Sequence, residues 1–165
     1  MKPRIVITSL FAVGSIALGT ACVEEITSPT CTPVTLNVAS TNGDTVTLNT
    51  GLRYIEGDVG SGLPSSWCAA VAVHYTEFLL DGTRLESSRD VDNPVIFTPG
   101  LGDLIDGFEQ GVIGIRAGAK RRLIVPPNLA YGNQERRNAS GTIIVPSNST
   151  LVYDIEVLQV GQPRQ

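Results

Sequence analysis

The stretch Val73 to Asp90, VHYTEFLLDGTRLESSRD, decides the fold. It opens inside a β-rich run, Val71 to Leu80, that stops at Asp81-Gly82, a strong short-range turn signal, so the chain is expected to fold back there. It also holds the only histidine of the chain, a tyrosine beside it, a Ser-Ser pair and several carboxylates. These are the materials of a hydrolytic triad, but a triad needs the imidazole within reach of the hydroxyl and oriented by a third group. His74 falls inside the strand while Tyr75 points to the opposite face, and no G-x-S-x-G elbow occurs. His74 therefore reads as a satisfied strand residue, and Ser87-Ser88 as a pair that shapes a turn.

Outward from this stretch, GLRYIEG (51–57), PVIFTPG (94–100) and LIVPP (123–127) each give a short strand bounded by glycine or proline. STLVYDIEVLQV (149–160) alternates Tyr153, Ile155 and Val157 with Asp154 and Glu156, the pattern of a half-buried antiparallel strand. One segment has another period. In LIDGFEQGVIGI (104–115) the apolar residues Leu104, Ile105, Phe108, Val112 and Ile115 approximate a helical stripe, with Asp106 and Glu109 spaced as a capping box. Gly111 and Gly114 keep that helix short. An antiparallel sheet wrapped on one short helix is an α+β fold.

The N-terminus reads differently. Lys2 and Arg4 precede an apolar run, Ile5 to Leu18, that is shorter than the roughly 20 residues needed to span a bilayer, which is the character of a signal peptide over residues 1–21. Cys22 directly after Ala21 resembles a bacterial lipoprotein processing site, although Gly19 stands where a large apolar residue is usual. Lipidation of Cys22 is set against cleavage after Ala21 to release a soluble protein. Export implies an oxidising compartment, where acylation of Cys22 would leave Cys31 and Cys68 to form a disulfide, the alternative being two free thiols. Residues 22–49, rich in Thr, Ser, Asn and Pro, read as a tether or an irregular arm, with a short strand near 34–38.

The 12 basic residues less Lys2 and Arg4, against 16 acidic ones, give the exported chain a net charge of −6. Such a surface repels phosphate backbones. The runs Lys120-Arg121-Arg122 and Arg136-Arg137 accordingly read as a solvated strand face and a loop tip, with no nucleic-acid role. One histidine and paired cysteines do not make a zinc set, and the acidic groups lack calcium-loop spacing, so no metal and no cofactor are expected.

Several separated motifs agree with one family. VHYT, the Asp-Gly turn and SSRD, the helix entry GLGDLIDGF (100–108), LAYG (129–132) and TLVYDIE (150–156) together resemble the FKBP-type peptidyl-prolyl isomerase domain, over about residues 50 to 160 (50–161 as a domain). The resemblance implies an antiparallel half-barrel around one short helix, with an apolar pocket between them. It implies pocket positions at Tyr75, Leu85, Glu86, Val95, Phe97, Leu104, Ile105, Phe108, Tyr131, Ile144 and Tyr153. It further implies that the Ile105 backbone N–H and the Tyr131 hydroxyl bind substrate carbonyls, that Phe108 floors the proline ring, and that Glu86 sits beside the twisted amide, oriented by Tyr75.

By the same resemblance the protein would be a monomeric, exported, periplasmic or cell-envelope isomerase acting on proline-containing polypeptides, held at a membrane where Cys22 carries lipid. The departures lie in the pocket: Leu85 and Val95 replace phenylalanines, Glu86 an aspartate and Phe108 a tryptophan, and the loop NQERRNASGT (133–142) is longer and more charged. A second reading therefore stands beside the first, a peptide-binding or chaperone-like module with little turnover.

Overall fold

The computed structural model describes residues 30–42 and 44–163. The expected leader, residues 1–21, and Cys22 lie outside them. The element order is β1 (Val38–Asn42), β2 (Thr45–Leu48), β3 (Arg53–Glu56), β4 (Ser61–Pro64), β5 (Ala69–Leu79), β6 (Arg84–Ser87), β7 (Val95–Phe97), α1 (Asp106–Gly111), β8 (Arg116–Ala117), β9 (Lys120–Val125), β10 (Arg136–Arg137), β11 (Ile143–Val145) and β12 (Leu151–Pro163). The main sheet runs β1-β2-β3-β9-β12-β5-β6, with β7 also paired to β5. Every pairing in it is antiparallel. The α+β class, one short helix on an antiparallel sheet, is the expected one.

The alternation in the sequence explains the centre of this sheet. In β5 the residues Val71, Val73 and Glu77 are buried and Tyr75 half-buried; in β12 Leu151, Tyr153, Ile155 and Val157 are buried. The register sets Tyr75 opposite Ile155 and Glu77 opposite Tyr153. The Asp-Gly turn forms as expected: Gly82 has φ 90°, the left-handed conformation glycine adopts without strain, and the Asp81 side chain accepts from the Thr83 N–H at 2.8 Å.

Three expectations need correction. The sheet begins before residue 50, because Val38–Asn42 and Thr45–Leu48 form a hairpin whose second strand pairs with β3; the polar composition that suggests a tether belongs to an edge hairpin. The helix is only 6 residues long, and Asp106 does not cap it: Ile105 takes the cap position with no side-chain bond. Glu109 instead accepts from the Gly100 and Leu104 N–H groups, at 2.8 and 3.2 Å, and so pins the loop that enters the helix.

The third correction is Arg121, buried at 6 % exposure within the run read as solvated. Its Nη1 donates to the carbonyls of Gly111 and Ile113, at 2.7 and 3.1 Å, where α1 ends. Helix C-termini leave carbonyls unpaired and carry partial negative charge, so a guanidinium there satisfies both. Glu56 balances the charge, accepting from Arg121 Nε at 3.0 Å, and the Tyr54 ring lies 4.2 Å below it. Lys120 and Arg122 are exposed, as expected.

Cys31 and Cys68 form a disulfide, 37 residues apart in sequence. Loop closure of that length contributes about 4 kcal/mol in the chain-entropy account. The bond straps the N-terminal segment to the turn before β5, and backbone bonds tie both segments to the loop before α1: Thr32 N–H donates to the Gly100 carbonyl at 2.9 Å and Cys68 N–H to Pro99 at 3.0 Å.

Helix α1 lies close on β9 because two of its residues have no side chain. A Cβ on Gly107 would overlap Val125 Cγ1 and stand 3.2 Å from the Leu129 carbonyl oxygen. Val125 is fully buried and, being β-branched, has little rotamer freedom with which to yield. Two effects compete in Gly107→Ala, a propensity gain of about 1 kcal/mol and an overpacking cost of about 1–3 kcal/mol. Overpacking should win, and urea unfolding of this variant should show a net loss of stability; a gain would mean that α1 shifts freely on the sheet.

Candidate active site

The inward faces of β5 and β12, the helix entry and the loop after β9 meet around a cavity of about 110 Å³. Its walls are Tyr75, Glu86, Val95, Leu104, Ile105, Phe108, Tyr131, Arg136 and Tyr153. The phenylalanine and tyrosine rings pack edge to face, Phe108 against Tyr153 at 5.2 Å and against Tyr75 at 5.7 Å between centroids. Such arrangements hold rings in fixed orientation. Phe108 is 3 % exposed and forms the bottom.

Eight of the eleven expected pocket residues thus line one space. The other three do not. Phe97 is buried behind Phe108, with ring centroids 5.6 Å apart, while Leu85 and Ile144 pack against the core beside the cavity.

Besides Glu86 and Arg136, the cavity wall carries the phenols of Tyr75, Tyr131 and Tyr153 and the backbone of Ile105. The Tyr75 hydroxyl donates to Glu86 Oε1 at 2.7 Å. Partial burial, then that hydrogen bond and the Glu86 charge, hold the Tyr75 pKa far above the usual phenol range, so it remains a donor. The Tyr131 hydroxyl accepts from Arg136 Nη1 at 3.0 Å. At Ile105 the backbone is extended before turning into α1, and among the described residues its N–H donates no hydrogen bond.

Two members of the site are not foreseen from the sequence. Arg136, expected at a loop tip, reaches into the cavity, with its Nη2 2.6 Å from Glu77 Oε2 and 3.7 Å from Glu86 Oε2. Glu77 is fully buried on the inner face of β5 and also accepts from the Tyr153 hydroxyl at 2.9 Å. A signal for Glu77 is present: it stands two residues after Tyr75 in a strand, hence on the same face. For Arg136 no local pattern exists, since its partner is 59 residues away.

Burial raises the Glu77 carboxyl pKa above its ordinary value near 4.5, and this outweighs the opposing pull of Arg136 and the Tyr153 hydrogen bond. For Arg136 burial works against the charge, but the nearby Glu77, with smaller contributions from Tyr131 and Glu86, holds its pKa above the usual range. Tyr153, buried and beside Glu77, is likewise raised and stays protonated.

His74 faces the other side of the sheet. Its Nδ1 is 2.9 Å from Ser88 Oγ, and that oxygen also accepts from the Tyr75 N–H at 2.9 Å. Both side chains are buried, which makes the pair a fastening between β5 and the turn after β6. A larger groove of about 540 Å³ runs along that outer face. Its charges are already matched in the pairs Arg122–Asp154, Arg89–Glu156 and Arg121–Glu56, so it lacks the enclosed apolar wall and unspent donors of the smaller cavity.

Comparison with known proteins agrees with this geometry. A family model for FKBP-type peptidyl-prolyl cis-trans isomerase matches residues 68–158. The chain is 44% identical over 90 residues to peptidyl-prolyl cis-trans isomerase Fkbp12 of Drosophila melanogaster, covering 54% of this chain and 79% of that one. It is 37% identical over 116 residues to photosynthetic NDH subunit of lumenal location 4, chloroplastic, of Arabidopsis thaliana, covering 67% and 54%. The crystal structure of FkpA from Escherichia coli superimposes with a TM-score of 0.63 at 32% identity, covering 74% of this chain and 54% of that one. The chain spans about half the length of several of the curated relatives it matches.

The Glu77 shift has a thermodynamic consequence. A carboxyl whose pKa is higher in the folded state contributes stability below its unfolded pKa and loses it as pH rises through the folded value. The stability of the wild type relative to Glu77→Gln should therefore fall as pH rises from about 4.5, then level off. Paired urea titrations between about pH 4 and 8 cancel the other titrating groups, and a difference that instead grows with pH would mean that Arg136 dominates over burial.

Proposed function

Because this chain belongs to the FKBP-type peptidyl-prolyl cis-trans isomerase family, we propose that it catalyses rotation about X-Pro bonds in exported polypeptides. The observation that supports this reading is the aromatic-lined cavity that brings together Ile105, whose N–H donates no hydrogen bond among the described residues, and Tyr131, whose hydroxyl proton has no partner there. Neither a nucleophile nor a metal is required. Peptide rotation faces a barrier of about 18–20 kcal/mol because amide resonance must be broken. The twisted state has lost that resonance and part of its charge separation, so a water-poor pocket favours it over the planar ground state.

During rotation Phe108 and Tyr153 hold the proline ring from below and from the side, and Val95 and Leu104 close the apolar wall. The Ile105 N–H and Tyr131 O–H donate to carbonyl oxygens of the peptide and keep it twisted. Glu86, fixed by the Tyr75 hydroxyl, sets the field beside the rotating amide. Leu85, Phe97 and Ile144 support the walls from behind. Against the family pattern the floor is smaller and the carboxylate one methylene longer, changes to which a site positioned within fractions of an ångström is sensitive.

Export supplies the client class. The basic start, the apolar run and the small residues before Cys22 fit residues 1–21 as a leader, and the Cys31–Cys68 disulfide supports an oxidising compartment such as a periplasm or envelope. Lipid on Cys22 would hold the protein at the membrane, where unfolded exported chains emerge. The isomerase domain would then extend to about residue 161.

An X-Pro peptide isomerisation assay of the purified chain tests the reading. The wild type should accelerate the reaction, Tyr131→Phe should lower kcat/KM by about 3- to 10-fold through loss of one donor, and Phe108→Leu should lower it further while remaining folded. If the folded wild type leaves the rate at its uncatalysed value for several residues before proline, yet binds the peptides, the chain is a peptide-binding module instead.

A further inference from the structure

Along the cavity wall runs a partly buried chain of polar side chains. Tyr153 donates to Glu77 Oε1 at 2.9 Å, Arg136 Nη2 donates to Glu77 Oε2 at 2.6 Å, and Arg136 Nη1 donates to Tyr131 at 3.0 Å. The same guanidinium lies 3.7 Å from Glu86, which Tyr75 holds. One side chain thus connects two polar groups of the cavity wall, Tyr131 and Glu86, to a fully buried anchor.

A fully buried carboxylate is costly, and an ion pair at such a depth is weak evidence of stabilisation, since an apolar pair of similar volume often serves as well or better. The pair is also imperfectly satisfied: Arg136 Nε is the one buried side-chain polar atom without a partner among the described residues. Exceptions of this kind in otherwise satisfied interiors call for a specific explanation. What Glu77 does achieve is positional. Arg136 is the first residue of β10, on the charged loop over the cavity, and its hydrogen bond to the fully buried Glu77 fixes the guanidinium to the sheet rather than to the loop.

The consequence falls on Tyr131. A guanidinium offers donors only, so a phenol oxygen facing it must accept, and its own proton must point elsewhere. Among the described residues the Tyr131 hydroxyl donates to nothing, and the cavity lies beside it. Donors in a connected chain polarise one another, which strengthens the last one.

We propose that Arg136, anchored by Glu77, is a positioning residue of the isomerase site, holding the Tyr131 hydroxyl oxygen so that its proton is presented to the substrate carbonyl. The inference rests on the isomerase reading. It makes Glu77 and Arg136 part of how this chain works, and it gives the long loop a role: it carries a guanidinium back to a phenol five residues earlier. Arginine is suited to this because its planar fork engages two partners at once, which an ammonium at the same place does not reproduce.

The test is a double-mutant cycle on kcat and KM with the full chain. Arg136→Gln should lower kcat on the order of tenfold with KM little changed, the signature of an interaction made in the transition state. Arg136→Lys should not restore it. In the Tyr131→Phe background the same change should cost less than about twofold, because the group it positions is gone; independent, multiplying losses would overturn the proposal. Removing Arg136 alone strands the buried Glu77, so the paired replacement Glu77→Gln with Arg136→Met serves as the folded control. It should retain wild-type urea unfolding and still show the tenfold loss. Wild-type kcat in that variant would overturn the positioning role while leaving the isomerase reading intact. A folded wild type without activity would overturn both.

Discussion

The antiparallel pairing of β5 with β12 is the constraint on which the site depends. A strand shows alternate residues to opposite faces, so a slip of one residue would exchange the buried and exposed sets completely. The register that sets Tyr75 opposite Ile155 and Glu77 opposite Tyr153 commits Val71, Val73, Val157 and Ile155 to the core. Fully burying each such side chain contributes about 1.5–3 kcal/mol, and four of them make a slipped register untenable. Tyr75, Glu77 and Tyr153 are carried to the same face by that commitment, and the cavity inherits its aromatic wall and its buried carboxylate from a register chosen by the aliphatic residues.

The parts legible in the sequence are those governed by local periodicity or local chemistry. The alternation in residues 149–160, the Asp81-Gly82 turn and the apolar spacing around Phe108 each produce the element expected of them. So do the prolines that end β9, which have no N–H to give to the ladder. The aromatic lining is legible through several motifs taken together, whereas Leu85, Phe97 and Ile144 show the limit of that reading: a motif position specifies the neighbourhood of a pocket more firmly than it specifies contact with it.

Charged residues are the least legible, for a physical reason. A run such as Lys120-Arg121-Arg122 is read by composition as a solvated face, yet in a strand its members alternate, and the middle one points inward. Arg121 is tolerated there because Glu56 and two carbonyls at the end of α1 accept from all three nitrogens of its fork. Arg136-Arg137 divides in the same way, with Arg136 directed at Glu77 and Arg137 held at the surface by Glu135. For both inward arginines the deciding partner comes from a distant part of the chain, so no window along the sequence contains the information.

The two inward arginines nevertheless differ in what their burial accomplishes. Arg121 replaces water at carbonyls that the fold would otherwise leave unpaired, so its burial completes the helix terminus. Arg136 satisfies a carboxylate that the strand pairing does not require: an apolar residue at position 77 would keep the register without any desolvated charge, at the cost of the acceptor for the Tyr153 hydroxyl. Glu77 does not favour its own ionisation at this depth, since burial raises its pKa despite Arg136 and Tyr153. A pair that buries a carboxylate completely and leaves one guanidinium nitrogen unpartnered is poorly explained as a device for stability. It is better explained by what it holds in place, a guanidinium 3.0 Å from the one phenol oxygen of the site that keeps its proton free.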